Sequence, residues 1–419
     1  MKCRLKDICS ITKGVTGIMK ADGGKYPLVA LSDERRSHSE FQFDTNAVIV
    51  PLISSTGHGH ASMKRVHYQE GKFALGNILC AVIPNDKTQL NAKYLHLYLQ
   101  QFKETLLVPL MKGAANVSLP MNKLADVEIE VPSLERQLEI IELENEAADY
   151  KNELEEKFKL QDGDVSKLRQ TILKEAMQGL LVKQNIIDEN ANDLLKKIKA
   201  EKEKLNADKK IKKELSPISE GEIPFVIPEN WVWCRLGDIV ELQMGQSPEG
   251  NTYNKNGNGI PFYQGKTEFG VMYPVGVSVW CNLPKKISEP NDILISVRAP
   301  VGDVNIADKK YAIGRGLSII RVMNKTINHV LLFYFLDCIK RNWKAKGSFF
   351  EAINRDIIEA RLFPLPPPPE QIRIVTKIEQ LMQLCDELQY SIQQSKIENE
   401  KLLQGALRDA LRKLEAVEV

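Results

Sequence analysis

Short apolar runs, each closed by Pro, Gly, Asn or Asp, punctuate residues 1–131 and again residues 222–365. Ala47-Val48-Ile49-Val50 and Ile293-Leu294-Ile295 are typical, and runs of that length and composition predict buried strands. Ala92–Leu106 and His329–Trp343 are apolar-rich and predict helices packed on those strands. A different pattern follows each region. After Val131-Pro132-Ser133, and again after Pro364-Leu365-Pro366-Pro367-Pro368-Pro369, the apolar spacing alternates four and three for about 45 residues. Proline is tolerated only in a helix's first turn, so each proline cluster marks a helix start. The second long helix carries the cleaner seam: Ile374, Ile378, Leu381, Cys385, Leu388, Ile392, Ser395, Asn399, Leu402 and Ala406. In the first the seam runs Ile140, Glu144, Ala147, Lys151, Leu154, Phe158, Gln161, Val165, Leu168 and Ile172, with Asp162-Gly163-Asp164 expected to weaken or kink it midway.

The two halves are copies. Leu5-Lys6-Asp7-Ile8 returns as Leu236-Gly237-Asp238-Ile239, and Lys13-Gly14 as Met244-Gly245. Phe73-Ala74-Leu75-Gly76 matches Tyr311-Ala312-Ile313-Gly314. From Lys112-Gly113 onward the match to Lys346-Gly347 runs without a gap, carrying Pro132 onto Pro366, Gln137 onto Gln371, Ile140 onto Ile374 and Leu154 onto Leu388. One constant offset through a long helix is expected, because an insertion would rotate its buried face.

At about 1.5 Å per residue each long helix measures roughly 70 Å, longer than a small domain, so the two are expected to pair with each other. Chain order then predicts an α+β protein: two similar mixed globular domains separated by two long helices forming an antiparallel coiled coil, pseudo-two-fold symmetric. The expected boundaries are 1–131 for the first globular domain, 132–182 for the first long helix, 183–221 for a charged linker, 222–366 for the second domain and 367–419 for the second long helix. The linker, with Lys196-Lys197-Ile198-Lys199 and alternating charges after it, is read as a solvated charged helix or a loop; a nucleic-acid tail is the alternative.

Charge sharpens this division. The whole chain has 57 basic and 55 acidic side chains, too balanced for a histone-like protein. Divided along the repeat, residues 1–132 hold 16 basic and 12 acidic groups, and residues 222–366 hold 17 and 14. The globular regions are therefore mildly basic, while 133–221 (17 and 20) and 367–419 (7 and 9) are mildly acidic. Two basic bodies on a spacer suit a duplex with two separated sites. The seven cysteines are scattered and never spaced as CxxC, which points to reduced thiols. MKCRLKDICS lacks the apolar core of a signal peptide and no apolar run approaches a membrane span, so a cytoplasmic, non-membrane location is expected.

Catalytic motifs do not emerge. Gly259-Ile260-Pro261-Phe262-Tyr263-Gln264-Gly265-Lys266-Thr267 has five residues between its glycines where a phosphate loop has four, and bulky side chains where backbone amides must surround phosphate. Gly57-His58-Gly59-His60, with His67, is read as surface histidines in preference to a metal cluster. No Rossmann GxGxxG or GxSxG elbow is present, so neither catalysis nor a metal site is expected.

Taken in order, these motifs resemble the specificity (S) subunits of type I restriction-modification systems. In the second half the resemblance rests on Ile227-Pro228-Glu229-Asn230-Trp231, Leu236-Gly237-Asp238-Ile239, Pro261-Phe262-Tyr263-Gln264-Gly265-Lys266, Gly314-Arg315-Gly316 and Gln371-Ile372-Arg373-Ile374. In the first half it rests on Val131-Pro132, Glu135-Arg136-Gln137 and Ile172-Leu173-Lys174-Glu175-Ala176-Met177-Gln178-Gly179, with Gly76-Asn77 standing where the second half has Gly314-Arg315. The resemblance implies two target-recognition domains, each reading half of a bipartite double-stranded DNA sequence. It also implies a helical spacer that fixes the gap, docks methyltransferase subunits, one per module, and through them recruits ATP-dependent restriction subunits. S-adenosylmethionine, ATP and Mg2+ would belong to those partners and not to this chain. A non-DNA coiled-coil scaffold and a self-contained restriction or methylation enzyme are the alternatives.

Base reading needs Arg, Lys, Asn or Gln at base edges, with hydroxyls and further lysines on phosphates. On that chemistry the candidates are Lys13, Arg35, Arg36, Ser54, Ser55, Thr56, His58, Lys64 and Lys112 in the first domain. In the second they are Gln243, Gln246, Gln264, Lys266, Arg298, Arg315, Lys344 and Lys346. Lys112 and Lys346 recur at the same place in both domains.

Overall fold

A computed structural model describes residues 1–17, 23–32, 34–55, 60–113, 117–185, 187–209, 215–343 and 352–412. The chain divides into two compact units: Met1–Lys159 with Gln393–Val419, and Leu160–Ile392.

Unit 1 opens with β1 (Lys2–Arg4), α1 (Leu5–Ile8), β2 (Cys9–Lys13), β3 (Tyr26–Val29), β4 (Arg36–His38) and β5 (Phe43–Asp44). It continues through β6 (Ala47–Pro51), β7 (His67–Gln69), β8 (Lys72–Leu75), β9 (Leu79–Pro84), α2 (Ala92–Leu106), α3 (Met121–Ala125) and β10 (Glu128–Glu130). The strand order is β2-β9-β6-β7 in one sheet and β4-β3-β8-β5 in another, with β1 paired to β10. All pairs are antiparallel except β3 with β8, which run parallel. Strand β6 is buried along its whole length, which explains its unbroken apolar run. The predicted helix Ala92–Leu106 is α2, started by Asn91, whose side chain accepts from the Lys93 N–H. Its Tyr94, Leu95 and Leu99 pack with Leu5, Val48, Val82 and Ile140 in the main core.

Helix α4 (Leu134–Met177) is continuous through Asp162-Gly163-Asp164. The segment does not interrupt the helix: Gly163 stays helical, and Asp162 accepts a 2.7 Å hydrogen bond from Gln389. Helix α5 (Ala191–Lys209) follows. It corrects the expectation of a solvated linker, because Ala191, Leu194, Leu195 and Ile198 are buried in the core of unit 2. Four apolar positions at helical spacing outweighed the charge run around them.

Unit 2 then repeats the plan with β11 (Val232–Arg235), α6 (Leu236–Ile239), β12 (Val240–Met244), β13 (Tyr253–Asn254), β14 (Ile260–Tyr263) and β15 (Trp280–Cys281). Next come β16 (Ile287–Ser288), β17 (Ile293–Ser296), β18 (Val304–Ile306), β19 (Tyr311–Ile313) and β20 (Leu317–Val322). They are followed by α7 (His329–Cys338), α8 (Arg355–Glu359), β21 (Leu362–Leu365) and α9 (Pro368–Arg412). The sheets are β12-β20-β17-β18 and β13-β15-β14-β19-β16, with β11 on β21. Again, among the described strands, β14 and β19 run parallel and the other pairs antiparallel. Helix α7 is shorter than predicted, giving way to a 3-10 turn at Lys340–Asn342.

Within each unit the long helices lie antiparallel. In unit 1, Leu411 packs with Ile140 in one core, and Lys396 sits over the Phe158 ring at 5.6 Å. In unit 2, Arg169 pairs with Asp386 at 2.6 Å. Of the seam positions, Ile140, Val165, Ile172, Ile374 and Ile378 are buried and Ala147, Leu154, Phe158, Leu381 and Ile392 half-buried. Leu168, Leu388 and Leu402 are exposed, Leu402 by 70%. At that last turn the neighbouring Leu403 lines the groove with Leu154 and Phe158 instead. A straight 3.6-residue helix drifts off a 3.5-residue repeat, so one seam cannot stay buried throughout.

Candidate nucleic-acid interface

Each unit contains an equivalent backbone junction that positions its candidate loops. A Cβ on Gly14 would stand 2.2 Å from the Gly76 carbonyl oxygen, and one on Gly245 would stand 2.2 Å from that of Gly314. The Gly14 N–H donates to Leu79 and the Gly245 N–H to Leu317; Gly76 N–H donates to Val29 and Gly314 N–H to Tyr263. No residue with a side chain fits at Gly14 or Gly245 without moving backbone, which is why both copies keep glycine there. A second shared device is the buried glutamine at each long helix. Gln137 accepts from the Asn91 N–H at 2.8 Å and donates to the Gln89 and Pro132 carbonyls. Gln371 accepts from the Asn328 N–H at 2.8 Å and donates to Pro366. Asn91 and Asn328 are the N-caps of α2 and α7, so each glutamine ties the start of its long helix to the start of the domain helix.

On this common frame the exposed side chains differ. In unit 1, Lys13 ends β2 exposed beside Gly14, and its carbonyl accepts from Gln42. Ser54 and Ser55 close their own loop: Ser54 Oγ donates to His60 at 2.6 Å, and Ser55 Oγ lies 3.0 Å from Ser62 Oγ. These serines therefore have a structural task. Lys64, Arg35 and Arg36 line one shallow groove with Leu31, Ser32 and Glu34. Arg65, Lys64, Ser54, Ser55 and His67 line an adjoining cleft of about 160 Å³. Lys112 is exposed and its backbone bridges to Ser118. Thr56 and His58 lie outside the described residues.

Arg35 is held by β7: its Nε donates to Gln69 Oε1 at 3.2 Å, and its Nη1 to His67 Nδ1 at 3.4 Å. Burial, then the charges of Arg35 and Arg65 and the neighbouring His96, push His67 down to about 4, so the ring is a neutral acceptor at neutral pH. Its Nε2 is buried and, among the described residues, has no hydrogen-bond partner. Such an orphan costs about 1–3 kcal/mol. The expectation of a surface histidine is corrected for His67, which is 3% exposed on β7, and Gln69 was not among the candidates. The signal was the i, i+2 spacing of the two on one strand, which puts both on the same face.

In unit 2 the junction carries Gly314-Arg315-Gly316. Gly316 N–H donates to the Gln264 carbonyl at 3.1 Å, Arg315 N–H donates to Ser247 Oγ at 3.2 Å, and Ser247 donates to Gln264 Oε1 at 3.1 Å. Gln246, Gln264 and Arg315 are thus gathered at one loop cluster with exposed side chains. Arg298 is exposed next to Val297, whose N–H donates to Gly316. Lys266, by contrast, is ion-paired with Asp303, and Gln243 lies half-buried in β12 with its carbonyl accepting from Ser318. Lys344 and Lys346 lie outside the described residues. Gly259–Thr267, the rejected phosphate loop, contains strand β14.

A family model described as the type I restriction modification DNA specificity domain matches residues 1–161 and 228–399. The chain is 31% identical over 404 residues to a putative type I restriction enzyme MjaX specificity subunit of Methanocaldococcus jannaschii, covering 91% of this chain and 86% of that one. It is 32% identical over 271 residues to the type I restriction enzyme EcoAI specificity subunit of Escherichia coli, covering 59% of this chain and 45% of that one. Among solved structures it resembles one from work on complex assembly and conformational transition of the type I R-M system (TM-score 0.61, 24% identity, 98% of this chain and 97% of that one). It also resembles the HsdS subunit from Thermoanaerobacter tengcongensis (TM-score 0.55, 23% identity, 98% and 96%). The duplicated domains, the paired long helices and these likenesses agree: the chain belongs to the type I restriction-modification DNA specificity family, as a specificity subunit.

Proposed function

We propose that each globular domain, 1–131 and 222–366, reads one half of a bipartite DNA target, while helices 132–182 and 367–419 set the number of unread base pairs between the halves. The chain's role is recognition, not catalysis. The observation that carries this reading is one backbone frame bearing different exposed side chains: Gly76-Asn77 in one domain and Gly314-Arg315 in the other. A frame kept constant while its surface residues change suits two half-sites of unlike sequence. The family assignment leaves no support for the scaffold or the self-contained enzyme.

Partner docking is assigned to the long helices, where Leu138, Tyr150, Leu160, Ile372, Leu384 and Tyr390 are each at least half exposed. A docked partner would remove these apolar side chains from water. The partners are methyltransferase subunits, two per chain, joined by restriction subunits; S-adenosylmethionine, ATP and Mg2+ belong to those partners. No helix among the described residues is long and apolar enough to cross a membrane, and the proposed site of action is cytoplasmic DNA.

The test is binding of the complex assembled with its methyltransferase subunits to random duplex across a salt series. A steep fall of log affinity with log salt is expected; salt-independent or absent binding contradicts DNA recognition. Adding one heptad to both long helices tests the spacing: the gap should lengthen while both half-sites are kept.

A further inference from the structure

Arg35 differs from four ion-paired arginines of unit 2. Arg169, Arg235, Arg321 and Arg373 each have a carboxylate oxygen within 2.6–2.9 Å. Arg35 is oriented by two side chains as well, but both are neutral, and among the described residues no carboxylate pairs with it. Its geometry is fixed while its charge is left uncompensated. Of its five N–H groups one is spent on Gln69 and one on His67. One on Nη1 and two on Nη2 remain, enough for a bidentate contact. Arg35 is exposed and opens onto the groove it shares with Ser32, Arg36 and Lys64.

Fixing the plane of a guanidinium matters for some ligands more than others. A phosphate carries its oxygens around a tetrahedral centre and can be forked in several planes, whereas the O6 and N7 acceptors of guanine lie in one plane. His67 supplies the second reason. Because the arginine can only donate, Nδ1 must accept, and the ring proton is left on the buried, unpartnered Nε2. A histidine kept at that cost is better explained by what it does to Arg35 than by packing.

We propose that Arg35 is a specificity-determining residue that reads a guanine edge in the half-site of the first domain, with His67 and Gln69 as positioning residues that hold its guanidinium plane. The inference rests on the DNA-reading function proposed above and adds the base class and the residues that impose it.

The test uses the full chain assembled with its methyltransferase subunits and a library of duplexes varying every base of the target. Arg35→Ala should relax discrimination at one G·C pair of one half-site by tenfold or more, leaving the other half-site and the gap unchanged. Arg35→Lys should relax the same pair, since an ammonium cannot reproduce the fork. Gln69→Ala, a half-buried change that spares the core, should relax that pair partially and add nothing when combined with Arg35→Ala. His67→Ala should behave like Gln69→Ala.

Two outcomes overturn the inference. One is an affinity loss uniform across all sequences, with the salt slope reduced by about one and Arg35→Lys tolerated, which identifies a phosphate contact. The other is no effect of any Arg35 variant. Failure of the underlying reading looks different: the unmodified complex itself would then show no salt-dependent, sequence-selective binding.

Discussion

Units 1 and 2 are most alike where backbone meets backbone and most different where side chains meet solvent. Gly14 and Gly245 face the same carbonyl obstruction, and Gln137 and Gln371 tie the same two helix starts together. Yet Arg35 is held by neutral groups in unit 1, while in unit 2 Lys266 is neutralised by Asp303 and Arg315 stands on a loop between two glycines. The contrast teaches which positions the fold requires and which it leaves open. A position recurs when its replacement would leave a buried polar group unpaired or drive a Cβ into backbone, and varies when its side chain ends in water.

The largest predicted departure from this symmetry lies within the frame itself. Arg321 on β20 pairs with the buried Asp292 through bonds of 2.8 and 2.6 Å, while the matching place on β9 is Ile83. Arg321→Ala strands a buried carboxylate and should cost roughly 3 kcal/mol. All four tryptophans lie in unit 2, so their fluorescence in a denaturant titration reads that unit selectively. An early fluorescence transition is expected, and an unshifted one would show that the ion pair contributes nothing.

Next, Gly14→Ala and Gly245→Ala should each cost about 1–3 kcal/mol by forcing backbone apart. Gly245→Ala should move the tryptophan transition and Gly14→Ala only the circular dichroism. If one glycine tolerates alanine and the other does not, the junctions are not equivalent.

The glutamines sharpen the comparison further. Gln137 serves three backbone groups and Gln371 two, so Gln137→Leu should destabilise its unit more than Gln371→Leu, by about 1 kcal/mol. Equal losses in thermal unfolding would mean that the third bond is worth nothing.

The last contrast is in acid stability. The folded pKa of His67, about 4, lies below the ordinary 6.5, so between these values the unfolded chain binds a proton that folded unit 1 refuses. That stability is full above about pH 6.5 and is lost as pH falls toward 4. Burial lowers His96 in unit 1 and His329 in unit 2 as well. In unit 2, Glu222 is held at about 2 by the Ser219 N–H, the Arg235 guanidinium and the Ser219 hydroxyl, so its contribution persists above about pH 4.5 and fades only toward 2. Between pH 6.5 and 4 the non-tryptophan signal should therefore lose stability faster, and His67→Gln should reduce that slope.

Much of this was legible in the chain. The strands Ala47–Pro51 and Ile293–Ser296, helix α2 and both long helices follow from apolar spacing, because burial of a whole face leaves a period in the sequence. The repeat aligns Gln137 with Gln371 but does not show the bonds they make. The burial of α5 was not legible, since its charged residues hide the four apolar positions that dock it. Nor was the hold of His67 and Gln69 on Arg35, which joins residues more than thirty positions apart, Arg35 just before β4 and the other two on β7 of a different sheet. Residue type nominated Ser54 and Ser55 equally with Arg35, and only their partners separate a loop closure from an uncompensated charge.

The central claim is that one frame used twice reads two different half-sites at a fixed distance. Sequencing the sites methylated by the complete system in cells tests it most directly. The account predicts a single motif of two unlike half-sites separated by a gap of constant length and free sequence. An uninterrupted motif, two identical halves or a gap that varies from site to site would contradict it.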